Sequence, residues 1–151
     1  MEEELIGWHT ENESRWRLAY HLCWLGNVYL KMAQRRGSKN LSSLARNFRF
    51  FLRNILVAGR KAEEYLKKSV EVATQIGAIG LLGQASLGLG VLYKARGKTD
   101  VAGKHISEAI EAFRKCGAEG YLKQAREVLR DCEVPSGRVP RSQHRQIAGS
   151  R

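Results

Sequence analysis

Proline is almost missing from this chain: its only two, Pro135 and Pro140, fall near the end. Nothing upstream removes a backbone donor, so long unbroken helices are allowed throughout the rest. Cysteine is scarce too. Cys23, Cys116 and Cys132 are odd in number and share no C-x-x-C spacing, which signals small buried thiols in a reducing compartment, not a disulfide framework or a zinc site. The start, Met1-Glu2-Glu3-Glu4, lacks the basic end and apolar run of a secretory leader. The most apolar early stretch, Trp16 to Ala33, is interrupted by Arg17, His21, Asn27 and Lys31, so it does not read as a membrane span. These absences point to a cytoplasmic, all-helical protein.

Catalytic patterns are missing as well. There is no G-x-x-x-x-G-K-[ST] to cradle phosphates, no G-x-S-x-G and no H-E-x-x-H. His9, His21, His105 and His144 lie far apart, and His105 reads as a core histidine on an apolar helix face. Glu63, Glu64, Glu108 and Glu111 have lysines within helical reach and read as solvated ion pairs. The chain is expected not to be an enzyme and to use no cofactor, metal or small-molecule substrate.

What the sequence does contain is positive charge, unevenly placed. The net charge is +11 over 151 residues. Residues 35–61 carry Arg35, Arg36, Lys39, Arg46, Arg49, Arg53, Arg60 and Lys61 with no acid, and the tail from Glu133 onward carries Arg138, Arg141, Arg145 and Arg151. These two segments hold the whole excess, so an electrostatic partner would be drawn to one of them and not to the whole surface.

It also contains a duplication. Residues 77–85 and 117–125 both read G-A-x-G-x-L-x-Q-A, offset by 40 residues. The match runs outward through Ala62 and Ala102, Leu66 and Ile106, Glu71 and Glu111, and Leu89 and Leu129. A duplicated unit of this length is the signature of a helical repeat. Apolar spacing predicts helices over about 14–35, 41–58, 61–76, 79–96, 100–116 and 119–132. Gly59, Gly77, Gly97 and Gly117 close four of them, and Thr99 or Asp100 caps the fifth. In the first helix Trp16, Leu18, Ala19, Leu22, Cys23, Leu25, Tyr29, Met32 and Ala33 are expected to form its buried face, and Cys116 is expected inward in the fifth. The domain plan is an acidic, frayed segment 1–13, a repeat domain 14–132 with a basic insert at 36–60, and a disordered basic tail 133–151.

Two further pieces, Leu25-Gly26-x-x-Tyr29 and Leu89-Gly90-x-x-Tyr93, are each followed by a helix with Ala-x-x-x-large apolar: Ala62 to Leu66 and Ala102 to Ile106. This combination resembles tetratricopeptide repeats. The resemblance implies an all-α, right-handed α-α superhelix of two units with a 40-residue period, a basic helix inserted in the first unit and a C-terminal capping helix. With Arg46-Asn-Phe-Arg-Phe-Phe-Leu-Arg-Asn54, Gly59-Arg-Lys-Ala-Glu-Glu64 and Tyr121-Leu-Lys-Gln-Ala-Arg-Glu-Val-Leu129, residues 15–132 resemble the C-terminal tetratricopeptide region of large bacterial signalling ATPases and nucleotide cyclases.

The function this implies is protein–protein interaction, as the sensory or scaffolding part of such a system. The spacing of the L-G-x-x-Y motifs places Tyr20, Asn27, Lys31, Gln84, Val91, Lys94, Gln124 and Asp131 on a concave groove for a protein or peptide. Asn27 is one element of a groove that grips a peptide carboxylate, but Cys23 stands where such a groove wants a lysine. The alternative reading is nucleic acid or anionic membrane bound through the amphipathic helix 41–58, with Arg46, Arg49 and Arg53 as its basic face. The first helix has no upstream cap, so Trp16, Trp24 and Leu25 are expected to expose an apolar edge suited to self-association or to a partner chain.

Overall fold

The computed structural model describes the backbone of residues 2–34 and 41–133 and the side chains of residues 11–34 and 56–132. All described elements are helices: α1 (Glu2–Gln34), α2 (Leu41–Gln75), α3 (Ile79–Ala95), α4 (Thr99–Lys115) and α5 (Glu119–Glu133). There is no strand among the described residues. The helices touch in a chain of near neighbours: α1 with α2, α2 with α3, α3 with α4 and α4 with α5, plus α1 with α3 and α3 with α5. Among the described residues α1 and α2 do not reach α4 or α5. The arrangement is that of a helical repeat, in which each unit is stabilised by the units beside it. The main core runs along it from Cys23 and Leu66 through Ala85, Leu89 and Tyr93 to Ile106, Phe113, Leu122 and Ala125.

The glycine turns form as the duplicated motif demands. Gly77, Gly97 and Gly117 have φ of 68°, 73° and 68°, a conformation that costs glycine little and other residues more. Each is followed by a residue whose N–H reaches back five positions: Ala78 to the Ala73 carbonyl at 2.8 Å, Lys98 to Tyr93 and Ala118 to Phe113, both at 2.9 Å. These bonds are the six-to-one link of a Schellman turn, and they satisfy carbonyls that the helix end would leave open. The next helix therefore starts from a fixed angle. The side-chain caps expected of Thr99 or Asp100 are not used, because α4 begins at Thr99 from Lys98 without a cap bond. Asp100 instead sits in the first turn, where it meets the positive helix end.

The L-G-x-x-Y pieces do what their composition requires. A Cβ built on Gly26 would lie 2.6 Å from Leu66 Cγ. On Gly90 it would collide with Ile106 Cγ1 and come within 3.3 Å of the Ala102 carbonyl. Each glycine thus lets the following helix close onto its own, with Ala62 and Ala102 fully buried at the crossings. The motif tyrosines stack on matching residues one repeat apart, Tyr29 on Tyr65 (5.7 Å) and Tyr93 on His105 (5.5 Å).

Several expectations are corrected. Gly59 does not close a helix: residues 41–58 and 61–76 are one helix, α2, so the basic segment extends an existing helix and is not an inserted one. Gly59 is buried there, and the Arg96 guanidinium donates to its carbonyl at 2.9 Å; a tertiary bond anchors the backbone where glycine would otherwise favour a break. The helix predicted from residue 14 begins at Glu2. Its buried stripe is Ala19, Cys23, Gly26 and Leu30, while Trp16, Leu18 and Met32 are exposed; a full turn of α1 carries apolar side chains, and only one side faces α2 and α3. Cys116 is exposed at the end of α4 and is not inward. The linker at 35–40 and the tail from 134 lie outside the described residues.

Candidate binding groove

α1, α3 and α5 line a groove of about 360 Å³. Its floor is Leu30, Leu87, Gly88 and Val91, and its walls carry Asn27, Lys31 and Gln34 from α1, Gln84 from α3, and Tyr121 and Gln124 from α5. Gln84 and Gln124 are the same position of the duplicated motif, so duplicating the helix duplicated the carboxamide and aimed both into one space. Tyr121 is held at its wall by stacking on Phe113, with centroids 5.2 Å apart. Asn27 donates from Nδ2 to the Cys23 carbonyl at 2.9 Å, which fixes its side chain against α1. A Cβ on Gly88 would lie 3.3 Å from Asn27 Oδ1 and 3.0 Å from Leu66, so at the groove floor α3 packs closely against the first helix pair.

Of the eight residues placed on the groove by sequence, Asn27, Lys31, Gln84, Val91 and Gln124 line it together. Lys94 and Asp131 stand apart and pair with each other at 3.3 Å, linking α3 to α5. Tyr20 lies on the exposed side of α1, stacked on Trp16 at 5.6 Å. Leu30, Gln34, Leu87, Gly88 and Tyr121 were missed. Gln34 sits one helical heptad beyond Asn27, a spacing that places it on the same side. Tyr121 is half-exposed. The side chains of Arg46, Arg49 and Arg53 lie outside the described ones.

A second cluster, at the junction of α2 and α3, was not legible at all. Glu63 accepts hydrogen bonds from Tyr93 Oη (2.7 Å), Lys67 Nζ (2.7 Å) and the Arg96 guanidinium. Its side chain is only 23% exposed, so it is not the solvated pair that its spacing to Lys67 suggested. Burial pushes the carboxyl up, but the bonds from Lys67, Arg96 and Tyr93 outweigh it and hold the group at about 2. Burial and the facing Glu63 carboxylate push the Tyr93 hydroxyl up, which keeps it a donor. His105 is half-buried, stacked on Tyr93 with Nδ1 3.1 Å from the Glu108 carboxylate, and is not a core histidine. Burial likewise pushes the Cys23 thiol up, against weaker opposing bonds from Ser69 and Asn27, so it has little thiolate character.

Among the described residues no three of His, Cys, Asp and Glu converge on a position that could hold a metal ion, and no helix is long and apolar enough to cross a membrane. Comparison with family models, with curated proteins and with solved structures returned no match.

Proposed function

We propose that this chain is a non-enzymatic protein–protein interaction module whose groove holds an extended peptide segment by its main chain. The observation that carries this is the convergence of four carboxamides, Asn27, Gln34, Gln84 and Gln124, from three helices onto one apolar floor. A carboxamide offers a donor and an acceptor side by side, matching the N–H and C=O of an extended backbone. Bonds of that kind give affinity without demanding a particular side chain. Lys31 is the one charged side chain among the lining residues, which favours a segment bearing a carboxylate near α1. The helix pairs are read as tetratricopeptide-like layers of an α-α superhelix, supported by the matched closures of Gly26 on Leu66 and Gly90 on Ile106. The wider setting, as the sensory or regulatory part of a bacterial signalling ATPase or nucleotide-cyclase system, rests on the sequence resemblance.

Selection from a display library of random linear peptides, with affinities then measured by fluorescence anisotropy, tests the reading. Selected peptides should lose about tenfold or more in affinity with Gln84→Ala and Gln124→Ala combined, since each substitution removes hydrogen bonds worth on the order of 1 kcal/mol. If no peptide is enriched, or the double variant binds as well as the wild type, the groove is not the working surface.

A further inference from the structure

We propose that the outer side of α1 is an interface with a second copy of this chain, in which the two α1 helices run antiparallel about a two-fold axis near Leu22. This goes beyond the groove reading and shares one residue with it, Lys31.

The first observation is where exposed apolar surface concentrates. Trp16, Leu18, Tyr20, Trp24 and Met32 all lie on α1, with Leu18 51%, Trp24 57% and Met32 55% exposed. Exposed apolar side chains grouped on one helix mark a contact surface, yet only the Ala19-Cys23-Gly26-Leu30 stripe of α1 is covered here.

The second observation excludes the ordinary occupant. Gly26 and Gly90, and Tyr29 and Tyr93, match at an offset of 64 residues, which puts Trp24 where α3 has Gly88. Gly88 is the position at which α3 admits Leu66 of the preceding helix: a Cβ there would stand 3.0 Å from it. An indole at the same place blocks a preceding repeat from seating on α1 in the way the α1–α2 pair seats on α3. The end of the array is shaped for a different contact.

The third observation selects a second copy. Glu13 and Lys31 are exposed and eighteen residues apart, about five full turns, so they share one edge of α1. Their midpoint is residue 22. Tyr20 and Trp24 have the same midpoint, and Leu18 and Leu25 have theirs within half a residue of it. An antiparallel pair with its axis there sets Glu13 of each copy against Lys31 of the other, Tyr20 against Trp24 and Leu18 against Leu25, each twice. That self-complementarity is what a two-fold interface requires. Arg17 and His21 lie on the same side, between Trp24 and Leu18; the Arg17 stem covers apolar surface and its head reaches water at the rim.

Sedimentation equilibrium of the whole chain over about two decades of concentration in the micromolar range tests this, with circular dichroism confirming that each variant is folded. The wild type should dimerise, and Trp24→Gln should weaken the dimer about tenfold or more. Glu13→Lys alone and Lys31→Glu alone should each weaken it several-fold at low salt, because each creates two like-charge contacts. Mixing the two single variants should restore association as a heterodimer; in a parallel pair each single substitution would exchange one like-charge contact for another and leave the wild-type affinity unchanged. A wild type that remains monomeric throughout overturns the proposal. So does a dimer that ignores the Trp24 and charge variants but is lost with Phe48→Gln and Phe51→Gln, an outcome that would make the first turns of α2 the contact.

Discussion

Glycine does opposite jobs at different positions of this chain, and alanine substitutions separate them. A Cβ on Gly90 would collide with Ile106, and neither the Ile106 side chain, fully buried, nor the Ala102 backbone can retreat. Gly90→Ala should therefore cost about 2 kcal/mol through overpacking. Gly103, inside α4, has nothing within 4 Å of the same built atom, so Gly103→Ala should stabilise by about 0.5–1 kcal/mol through reduced freedom of the unfolded chain. Urea unfolding of both variants checks the pair. Gly80 and Gly120, the second glycines of the duplicated motif, also have open space around them, and nothing in the structure explains why both are glycine. Glu63 makes a third prediction. Its folded-state pKa is depressed to about 2 from an ordinary 4.5, so its contribution is fully present above pH 4.5 and is lost as pH falls towards 2. Glu63→Gln should cost on the order of 1–3 kcal/mol at neutral pH, and the gap between variant and wild type should narrow when unfolding midpoints are compared at pH 3.

At the scale of the helix, α2 shows where sequence reading goes astray. Gly59 looks like a stop, and a glycine within a helix does cost about 1 kcal/mol relative to alanine. The helix nevertheless continues, with the Gly59 carbonyl taken by Arg96 and Ala58 and Ala62 buried on either side. Gly59→Ala tests that continuity. A built Cβ meets only the end of the Arg96 side chain, at 3.5 Å, so alanine should stabilise by about 0.5–1 kcal/mol; a left-handed stop at that position would make it destabilising. Gly77 and Gly117 were legible as stops because the duplication showed the same residue followed by a fresh apolar period. The groove was partly legible for the same reason: Gln84 and Gln124 occupy the same position of the duplicated motif, and equivalent positions of stacked repeats face the same side. Tyr93 to Glu63 was not legible, since the bond joins residues thirty apart in sequence and is created by how α3 lies on α2. The exposure of Trp24 was expected, whereas Trp16 was assigned to both sides, Leu18 and Met32 to the buried one, and Leu25, expected at the exposed edge, is half-buried; apolar residues spread over much of the α1 circumference leave no single period to read.

At the largest scale, the helices touch only near neighbours among the described residues, so the groove exists only while α1, α3 and α5 stay in register. Two links maintain that register from opposite sides: the Glu63–Tyr93–Arg96 cluster between α2 and α3, and the Lys94–Asp131 pair between α3 and α5. The exposed pair contributes little by itself; the first link, half-buried and shared by four side chains, holds the array at its centre. On the proposed reading the groove takes its affinity from carboxamides that meet a peptide main chain. The most direct measurement is a ¹H–¹⁵N correlation spectrum of the labelled chain titrated with a selected peptide. The side-chain amide signals of Asn27, Gln34, Gln84 and Gln124 should shift together, with backbone signals of Val91 and Tyr121 moving alongside them. Shifts confined to residues 41–55 or to the outer side of α1, with the four carboxamides unmoved, would contradict the groove as the site of binding.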